Sequence, residues 1–179
     1  MKQLILIIAC VLSVTLTYAQ EKKVMVAYFS CTGNTETVAK AIAEATDATL
    51  YRIQPQTAYS SADLDWRDKQ SRSSKEMGDT ASRPALADQN AKADTYDVIF
   101  LGYPIWWNLC PRIINTFIES YTLNGKTVIP FATSGSSSIQ NSVKELKEQY
   151  SEINWHTGKL LNGGTSDAVQ WAKEAITAQ

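Results

Sequence analysis

The stretch Ser30-Cys31-Thr32-Gly33-Asn34-Thr35 follows an apolar segment, Val24 to Phe29, and precedes a helical pattern that begins at Thr35 or Glu36. The sequence therefore predicts a strand, a turn rich in hydroxyl groups and then a helix. The first N–H groups of a helix have no partner within the helix and lie at the positive end of its dipole, so they can bind an anion. We interpret this stretch as a phosphate-binding loop.

Two common phosphate-binding motifs do not fit this loop. No Lys follows Gly33, which excludes the P-loop of nucleoside triphosphate enzymes, and the dinucleotide pattern G-x-G-x-x-G does not occur here. The predicted ligand is therefore a small phosphate ester that neutral donors hold. The alternative is an ordinary turn in which a Ser or Thr side chain caps the helix.

Apolar segments and helical periodicities alternate along the rest of the chain. The predicted strands cover residues 24–29, 49–53, 98–101, 127–131 and 153–157. The predicted helices cover residues 35–46, 68–77 (weakly), 111–118, 139–150 with Ser138 as N-cap, and 165–177. This alternation predicts an α/β fold with a doubly wound, five-stranded parallel sheet, strand order 2-1-3-4-5 and helices on both faces.

Three unusual loops follow strands 1, 3 and 4, so all three are expected at one edge of the sheet. The second, Gly102 to Asn108, carries Tyr103, Trp106 and Trp107, and the third, 133–137, is rich in Ser. Aromatic rings beside a phosphate site favour a flat aromatic ligand with a phosphate group, and FMN fits that description. The third loop is expected to offer N–H and hydroxyl groups to the polar edge of the ring. Alternatively, the tryptophans are core residues that cover the end of the sheet.

These three motifs resemble, in order and spacing, those of the flavodoxins, whose phosphate loop reads Thr/Ser-x-Thr-Gly-Asn-Thr. The Gly-Tyr-Pro-Ile-Trp-Trp segment and the polar insertion look most like a bacterial, exported subgroup of flavodoxin-like proteins. The resemblance implies a flavodoxin-like fold with FMN as cofactor. It implies phosphate contacts at Ser30, Thr32, Gly33, Asn34 and Thr35, and flavin contacts at Pro104, Ile105, Trp106, Thr133, Ser134 and Gly135, to which the loop pattern adds Tyr103, Trp107 and Ser136.

The implied function is electron transfer, or reduction of small acceptors such as quinones, through bound FMN. Electron-carrying flavodoxins have a strongly acidic surface, whereas this chain has 17 basic and 18 acidic residues, and its third loop contains no aromatic ring. An open flavin face would admit NAD(P)H or a quinone, as in the related quinone reductases. An NAD(P)H-dependent FMN oxidoreductase and an electron carrier both stay open. A non-catalytic binding module that has lost or changed its cofactor is the alternative from another class.

No catalytic side chain is required when a cofactor does the electron chemistry. The only histidine, His156, lies in the last predicted strand and is interpreted as structural, so neither a catalytic residue nor a metal site is expected. The net charge of −1 indicates no basic surface for nucleic acid. We expect a monomer or a homodimer whose redox donor and acceptor are unknown.

The start of the chain predicts a secretory signal peptide. An apolar run, Leu4 to Leu16, follows Lys2, and small residues at positions 17 and 19 suit cleavage after Ala19. The domains are therefore a signal peptide, 1–19, and a single flavodoxin-like domain, 20–179, that is exported to the periplasm. The apolar run is too short for a membrane span, and lipidation at Cys10 is a minor alternative.

A polar insertion covers residues 54–95 of the predicted domain. It is interpreted either as a flap whose Tyr59, Trp66 or Arg83 reaches the ligand, or as a surface excursion that packs Leu64 and Trp66 on the body of the domain. After signal removal the remaining cysteines are Cys31 and Cys110, which either pair or stay as free thiols.

Overall fold

The computed structural model describes residues 22–162 and 164–178. The predicted signal peptide, 1–19, and the alternative lipidation site Cys10 lie outside the described residues. None of the helices in the described part combines the length and the apolar character needed to cross a membrane.

Strands and helices alternate along the described chain as the sequence predicts. The strands are β1 (Val24–Tyr28), β2 (Thr49–Arg52), β3 (Val98–Pro104), β4 (Thr127–Thr133), β5 (Asn154–Trp155) and β6 (Lys159–Leu160). The α-helices are α1 (Asn34–Thr46), α2 (Arg72–Gly78), α3 (Arg112–Glu119), α4 (Gln140–Gln149) and α5 (Thr165–Thr177), with a 3₁₀ turn at Ala93–Thr95.

The main sheet is parallel and has the order β2-β1-β3-β4-β5, which confirms the predicted doubly wound topology. Its register aligns the carboxyl ends of three neighbouring strands. Tyr28 of β1 pairs with Gly102 of β3, and Pro104 of β3 pairs with Thr133 of β4. The loops that follow β1, β3 and β4 therefore leave the sheet at the same edge.

Both faces of the sheet are covered, and β3 shows this most clearly. Val98 and Phe100 pack in the core beneath α1 and α5, whereas Ile99 and Leu101 pack in the core beneath α3 and α4. All four side chains are buried. A continuous apolar run in the sequence is what a parallel strand covered on both faces requires.

The sixth strand, β6, was not predicted. The chain after α4 pairs with β4 as two short strands, β5 and β6. The prediction of a single strand over 153–157 is therefore wrong in the number of strands. Carbonyls of Val128 and Ala132 accept N–H bonds from His156 and Leu161 at 2.9 and 2.8 Å. Pro130 lies between Val128 and Ala132 in β4, and its backbone nitrogen faces β5 and β6 as theirs do. Because proline has no N–H to donate, the pairing of β4 with this part of the chain is interrupted at Pro130.

Two helix ends differ from the prediction. The weak helix at 68–77 is the shorter α2, and Ser71 caps it by accepting the Ser74 N–H at 3.2 Å. Ser138 does not cap α4, because that helix begins at Gln140 with Ile139 in the N-cap position and no side-chain cap.

A short antiparallel bridge closes the neck of the insertion. The N–H groups of Gln56 and Ala87 donate to the carbonyls of Ala85 and Gln54, both at 2.8 Å. Beyond the neck, Arg83 binds both carboxylate oxygens of Glu119 on α3, at 2.7 and 2.9 Å, and this contact lowers the pKa of Glu119. The insertion is therefore attached to the body of the domain at more than one point.

Candidate functional site

The loop after β1 leads into α1 without a side-chain cap. Gly33 has a φ of 89°, a left-handed conformation that suits glycine, and its N–H donates to the Ser30 hydroxyl at 3.1 Å. The first backbone bond of α1 runs from the Thr37 N–H to the Gly33 carbonyl at 2.9 Å. The N–H groups of residues 34–36 therefore have no acceptor within the helix. The alternative of a side-chain-capped turn is wrong, since no side chain caps α1.

A hydroxyl pair links this loop to the loop after β4. The Thr35 and Thr133 hydroxyl oxygens lie 2.8 Å apart and share a hydrogen bond, and both residues are buried. Behind the first loop, the Arg52 guanidinium contacts the Ser30 carbonyl at 3.4 Å and the Glu36 carboxylate at 3.8 Å. These contacts hold the end of β1 and the start of α1 in place.

The loop after β3 contains a tight turn with unusual residues at its tip. Trp106 and Leu109 exchange backbone hydrogen bonds of 2.9 Å in both directions. Between them, Trp107 and Asn108 both have positive φ, 46° and 65°. Turns of this kind favour Asn or Gly at both tip positions, and a bulky residue there costs roughly 1–3 kcal/mol. The turn places the Trp107 side chain at the edge of the sheet, 45% exposed.

Trp106 lies at the base of the same turn and is packed edge-on between two other rings. Its ring centroid is 5.7 Å from that of Phe29 and 5.4 Å from that of Tyr59, with interplanar angles of 81° and 80°. Tyr59 belongs to the insertion, its hydroxyl donates to Glu76, and the Arg72 guanidinium lies 4.0 Å above its ring. The insertion thus supports Trp106 from behind.

Tyr103 does not take the predicted place beside the ligand. Its side chain is fully buried and its hydroxyl pairs with the Ser142 hydroxyl at 3.0 Å, beneath α4. Burial raises the pKa of Tyr103 above its ordinary value. The prediction of a ligand contact for the Tyr103 side chain is wrong, since β3 continues to Pro104 and its alternation turns Tyr103 into the core.

In the loop after β4, several backbone N–H groups already donate to side chains of the protein. The Ser134 hydroxyl accepts the N–H groups of Ser136 and Ser137 at 3.3 and 2.9 Å. Asn162, after β6, accepts the Ser134 N–H at 3.0 Å and donates to the Ser134 carbonyl at 2.6 Å. The expectation that these N–H groups are free for a ligand is therefore wrong for Ser134, Ser136 and Ser137.

The three loops surround two adjoining cavities of about 570 and 510 Å³. The residues that line both are Thr32, Pro104, Ile105, Trp106, Ser134 and Gly135. The larger cavity also contacts Asn34 and Thr133, and the smaller one contacts Ser30, Thr35, Trp107 and Ser136. Every predicted site residue except Gly33 and Tyr103 therefore lines one or both cavities.

Two further segments line the cavities and were not predicted as site residues. Leu161, Asn162, Gly164 and Thr165, after β6, line the larger cavity. Leu64, Trp66 and Ser73, all from the insertion, line the smaller one. The sequence analysis named Trp66 as one of three residues that could reach the ligand. Of the others, Tyr59 packs behind Trp106, and Arg83 binds Glu119 instead.

The cavity walls are neutral. None of the described residues that line either cavity has a charged side chain, and the polar side-chain groups are hydroxyls, indole N–H groups, one thiol and the amides of Asn34 and Asn162. An anion would therefore be held by the N-terminus of α1 and by neutral donors. The thiol is that of Cys31, whose burial raises its pKa to about 11. Cys31 and the buried Cys110 are both free thiols.

Comparison with known proteins gives the family. A family model described as Flavodoxin matches residues 23–175. This chain belongs to the flavodoxin family. No curated protein sequence matches it.

Solved structures agree with this assignment. A candidate flavoprotein from Bacteroides uniformis is 59% identical over 85% of this chain and 98% of its own, with a TM-score of 0.82. A second, from Bacteroides eggerthii, is 51% identical over 88% of this chain and 99% of its own, with a TM-score of 0.83. A flavoprotein from Lactobacillus acidophilus, crystallised in complex with FMN, is 22% identical over 84% of this chain and 99% of its own, with a TM-score of 0.64, and shows the shared fold.

Proposed function

We propose that this protein binds FMN at the edge formed by the loops after β1, β3 and β4, and that it acts as a redox protein. Membership of the flavodoxin family supports FMN as the cofactor, and the Lactobacillus acidophilus relative of the same fold was crystallised with FMN. When bound, FMN supplies the electron-transfer chemistry, and the protein supplies binding, orientation and shielding.

The observation that carries the proposal is the meeting of an anion site and aromatic walls at one cleft. The N–H groups at the start of α1 lie beside Thr32, which lines both cavities together with Trp106. Volumes of about 570 and 510 Å³ are in the range that small ligands occupy, roughly 300–1,000 Å³. The residues present therefore fit a mononucleotide that has a phosphate at one end and a flat ring at the other.

The chain's own residues have distinct roles in this proposal. The amides of residues 34–36, with the Thr32 hydroxyl, bind the phosphate. Pro104, Ile105 and Trp106 form an apolar wall that keeps water from the ring. The loop after β4, held by Asn162 and by the Ser134 hydroxyl, forms the opposite wall. Because the cavity walls are uncharged, the phosphate depends on the α1 N-terminus.

Reduction of small acceptors such as quinones, with NAD(P)H as donor, is the finer proposal. Two exposed aromatic side chains support it, since Trp66 and Trp107, which line the smaller cavity, are 69% and 45% exposed. Steady oxidation of NADH or NADPH in the presence of a quinone would support a reductase. Turnover only through a partner protein would show an electron carrier instead.

The visible spectrum of the purified protein tests the cofactor. We expect flavin absorbance after incubation with FMN and removal of the excess by gel filtration. A colourless protein that takes up no FMN would contradict the proposal and favour the alternative of a binding module with another ligand.

We further propose that the protein is exported to the periplasm. The sequence pattern at residues 1–19 supports this proposal. Expression of residues 1–179 in a bacterium should yield a periplasmic product whose mass corresponds to cleavage after Ala19. A product that retains the first 19 residues, or one that carries lipid on Cys10, would contradict that cleavage.

A further inference from the structure

We propose that Leu64, Trp66 and Trp107, which line the smaller cavity together with residues of the proposed FMN site, form a binding subsite for an uncharged, planar aromatic acceptor such as a quinone. This inference rests on the proposed function, because an acceptor subsite needs a redox cofactor next to it. It assigns the insertion a role in substrate binding, and it gives Trp107 a contact with the acceptor in place of the predicted contact with the flavin.

The first observation is the position of the exposed indoles. Among the described residues, three large hydrophobic side chains are exposed: Leu50, Trp66 and Trp107. The two tryptophans come from separate parts of the chain, the insertion and the turn after β3, yet both line the cavity of about 510 Å³. Leu64 lines the same cavity. Apolar side chains that converge on one open cavity mark a binding surface for an apolar ligand.

The second observation is the backbone that presents Trp107. This residue has a φ of 46° at the tip of the turn that the Trp106 and Leu109 backbone bonds close. Gly or Asn would adopt that conformation more easily, so the backbone conformation gives no reason for an indole there. A strained residue with an exposed aromatic side chain at a cavity edge indicates that the side chain is needed for contact.

The third observation is that the insertion is fixed against the cleft. Tyr59 packs on Trp106, and Arg72 contacts Tyr59 from above and binds Glu76 at 2.6 Å. Leu64 and Trp66 lie between these anchored residues in the sequence. The Trp66 ring also has the Arg67 guanidinium 5.9 Å from its centroid. The segment that carries Leu64 and Trp66 is therefore fixed at both of its ends before a ligand arrives.

The chemistry of the cavity selects the class of ligand. None of the described residues that line it is charged, and its polar groups include the Ser73, Ser136 and Ser137 hydroxyls. Hydroxyls can donate to the carbonyl oxygens of a quinone. No cationic side chain lines the cavity for a diphosphate to bind, since Arg67 contacts the Trp66 ring without lining the cavity, so the subsite favours an uncharged acceptor over a nicotinamide dinucleotide.

The proposed reaction is the two-electron reduction of a quinone. A quinone becomes a hydroquinone by gaining two electrons and two protons. In the proposed function, the hydride of NAD(P)H supplies both electrons and one proton, and solvent supplies the second proton. The nicotinamide leaves in its oxidised form.

Binding measurements on the protein expressed from residues 1–179 test the proposal. The probe is dimethylnaphthoquinone with both positions of its quinone ring methylated, so that it cannot add to the Cys31 thiol. Its affinity for the FMN-saturated protein is measured by equilibrium dialysis. We expect Trp66→Ala and Trp107→Asn each to weaken binding about tenfold, because each removes one aromatic contact. A naphthoquinone sulfonate should bind more weakly than the uncharged probe.

Matched controls separate binding from folding. Leu50→Ala alters the other exposed large hydrophobic residue, outside the cavity, and should leave probe affinity unchanged. Trp107→Asn suits the left-handed backbone and should keep or raise the thermal midpoint relative to the unchanged protein. Unchanged probe affinity in both tryptophan variants would overturn the proposal.

FMN affinity of the same variants separates this proposal from the proposed function. If Trp66→Ala and Trp107→Asn weaken FMN rather than the probe, or if the probe displaces FMN, the indoles belong to the flavin site and the subsite proposal is overturned. If the unchanged protein binds no FMN, the proposed function fails, and the subsite fails as an acceptor site with it. FMN binding without probe binding overturns the subsite alone.

Discussion

The loop after β1 and the loop after β4 are both rich in Ser, Thr and Gly, and both border the same cleft, yet they use their hydrogen-bonding groups differently. In the first loop, the amides at the start of α1 have no acceptor within the helix and no side chain caps them. In the second, three amides already donate to Ser134 and Asn162. The first loop is thus available to an anion, whereas the second is closed on itself.

This difference teaches that composition alone does not tell a donor site from a structural wall. What distinguishes the loops is the conformation after the strand. Gly33, at a φ of 89°, directs the chain straight into α1, whereas the Ser134 hydroxyl folds the second loop around itself before α4 begins. The following predictions test the two roles.

Thr32→Glu should have the largest effect. A carboxylate in the first loop would face the bound phosphate, and two like charges about 4 Å apart repel by about 4 kcal/mol at the effective dielectric constant of a protein surface. We expect FMN affinity, measured by fluorescence titration, to fall at least about 100-fold, as such a repulsion allows. Ser138→Glu is the matched control, since it adds the same charge to the second loop at an exposed position outside both cavities. Equal losses in both variants would contradict an anion site in the first loop.

The Thr35 and Thr133 pair, which joins the two loops, should have the next largest effect. Thr133→Val keeps the shape but leaves the buried Thr35 hydroxyl without its partner, which should lower the free energy of unfolding by about 2 kcal/mol. Thr35→Val should act in the same way.

The double variant checks the coupling. Because it removes both hydroxyls, it should be less destabilised than the sum of the single variants, by about 1 kcal/mol in a double-mutant cycle from urea unfolding. Strictly additive losses would show that the two hydroxyls do not stabilise each other across the loops.

Gly33→Ala should destabilise the protein, whereas Gly135→Ala should not. A Cβ at either glycine meets no atom within 4 Å, but Gly33 alone has a positive φ. The alanine at 33 should lower the free energy of unfolding by about 1 kcal/mol, whereas the alanine at 135 should leave it unchanged or raise it by up to about 1 kcal/mol. Chemical denaturation measures both. A loss at 135 as large as that at 33 would contradict the distinction.

The overall fold could be predicted because its strongest signals are local. The apolar run Val98 to Leu101 indicates a strand covered on both faces, and helical periodicity marks the crossovers, so the strand order follows from general rules. The sixth strand could not be predicted in this way. Lys159–Leu160 is two residues long, and its separation from β5 depends on Pro130 in a different strand.

The site residues could be predicted where they belong to a short, specific sequence motif. Outside such motifs the site could be predicted only in part. Tyr103 was misplaced because the predicted strand ended at Leu101, whereas β3 continues to Pro104 and period-two alternation carries Tyr103 into the core. Asn162 was missed as a site residue because its contact with Ser134 joins residues 28 positions apart. Such contacts depend on tertiary structure, which no local pattern in a single sequence reveals.

Asn162→Ala should have the smallest effect and should be confined to the second loop. The variant removes both hydrogen bonds to Ser134, and at this exposed position the loss should be about 1 kcal/mol or less. Hydrogen exchange followed by mass spectrometry should show faster exchange, about fivefold, in peptides that contain Ser134 to Ser137, as a loss of that size allows. Peptides from the first loop should exchange as before.

Asn154→Ala is the matched control. Asn154 begins β5, and its side-chain amide donates to the Thr127 hydroxyl at the start of β4, far along the strand from Ser134. This variant should leave exchange in the second loop unchanged. Equally faster exchange in both loops would show that the second loop is not closed independently of the first. The two loops would then open together, coupled through the Thr35 and Thr133 pair.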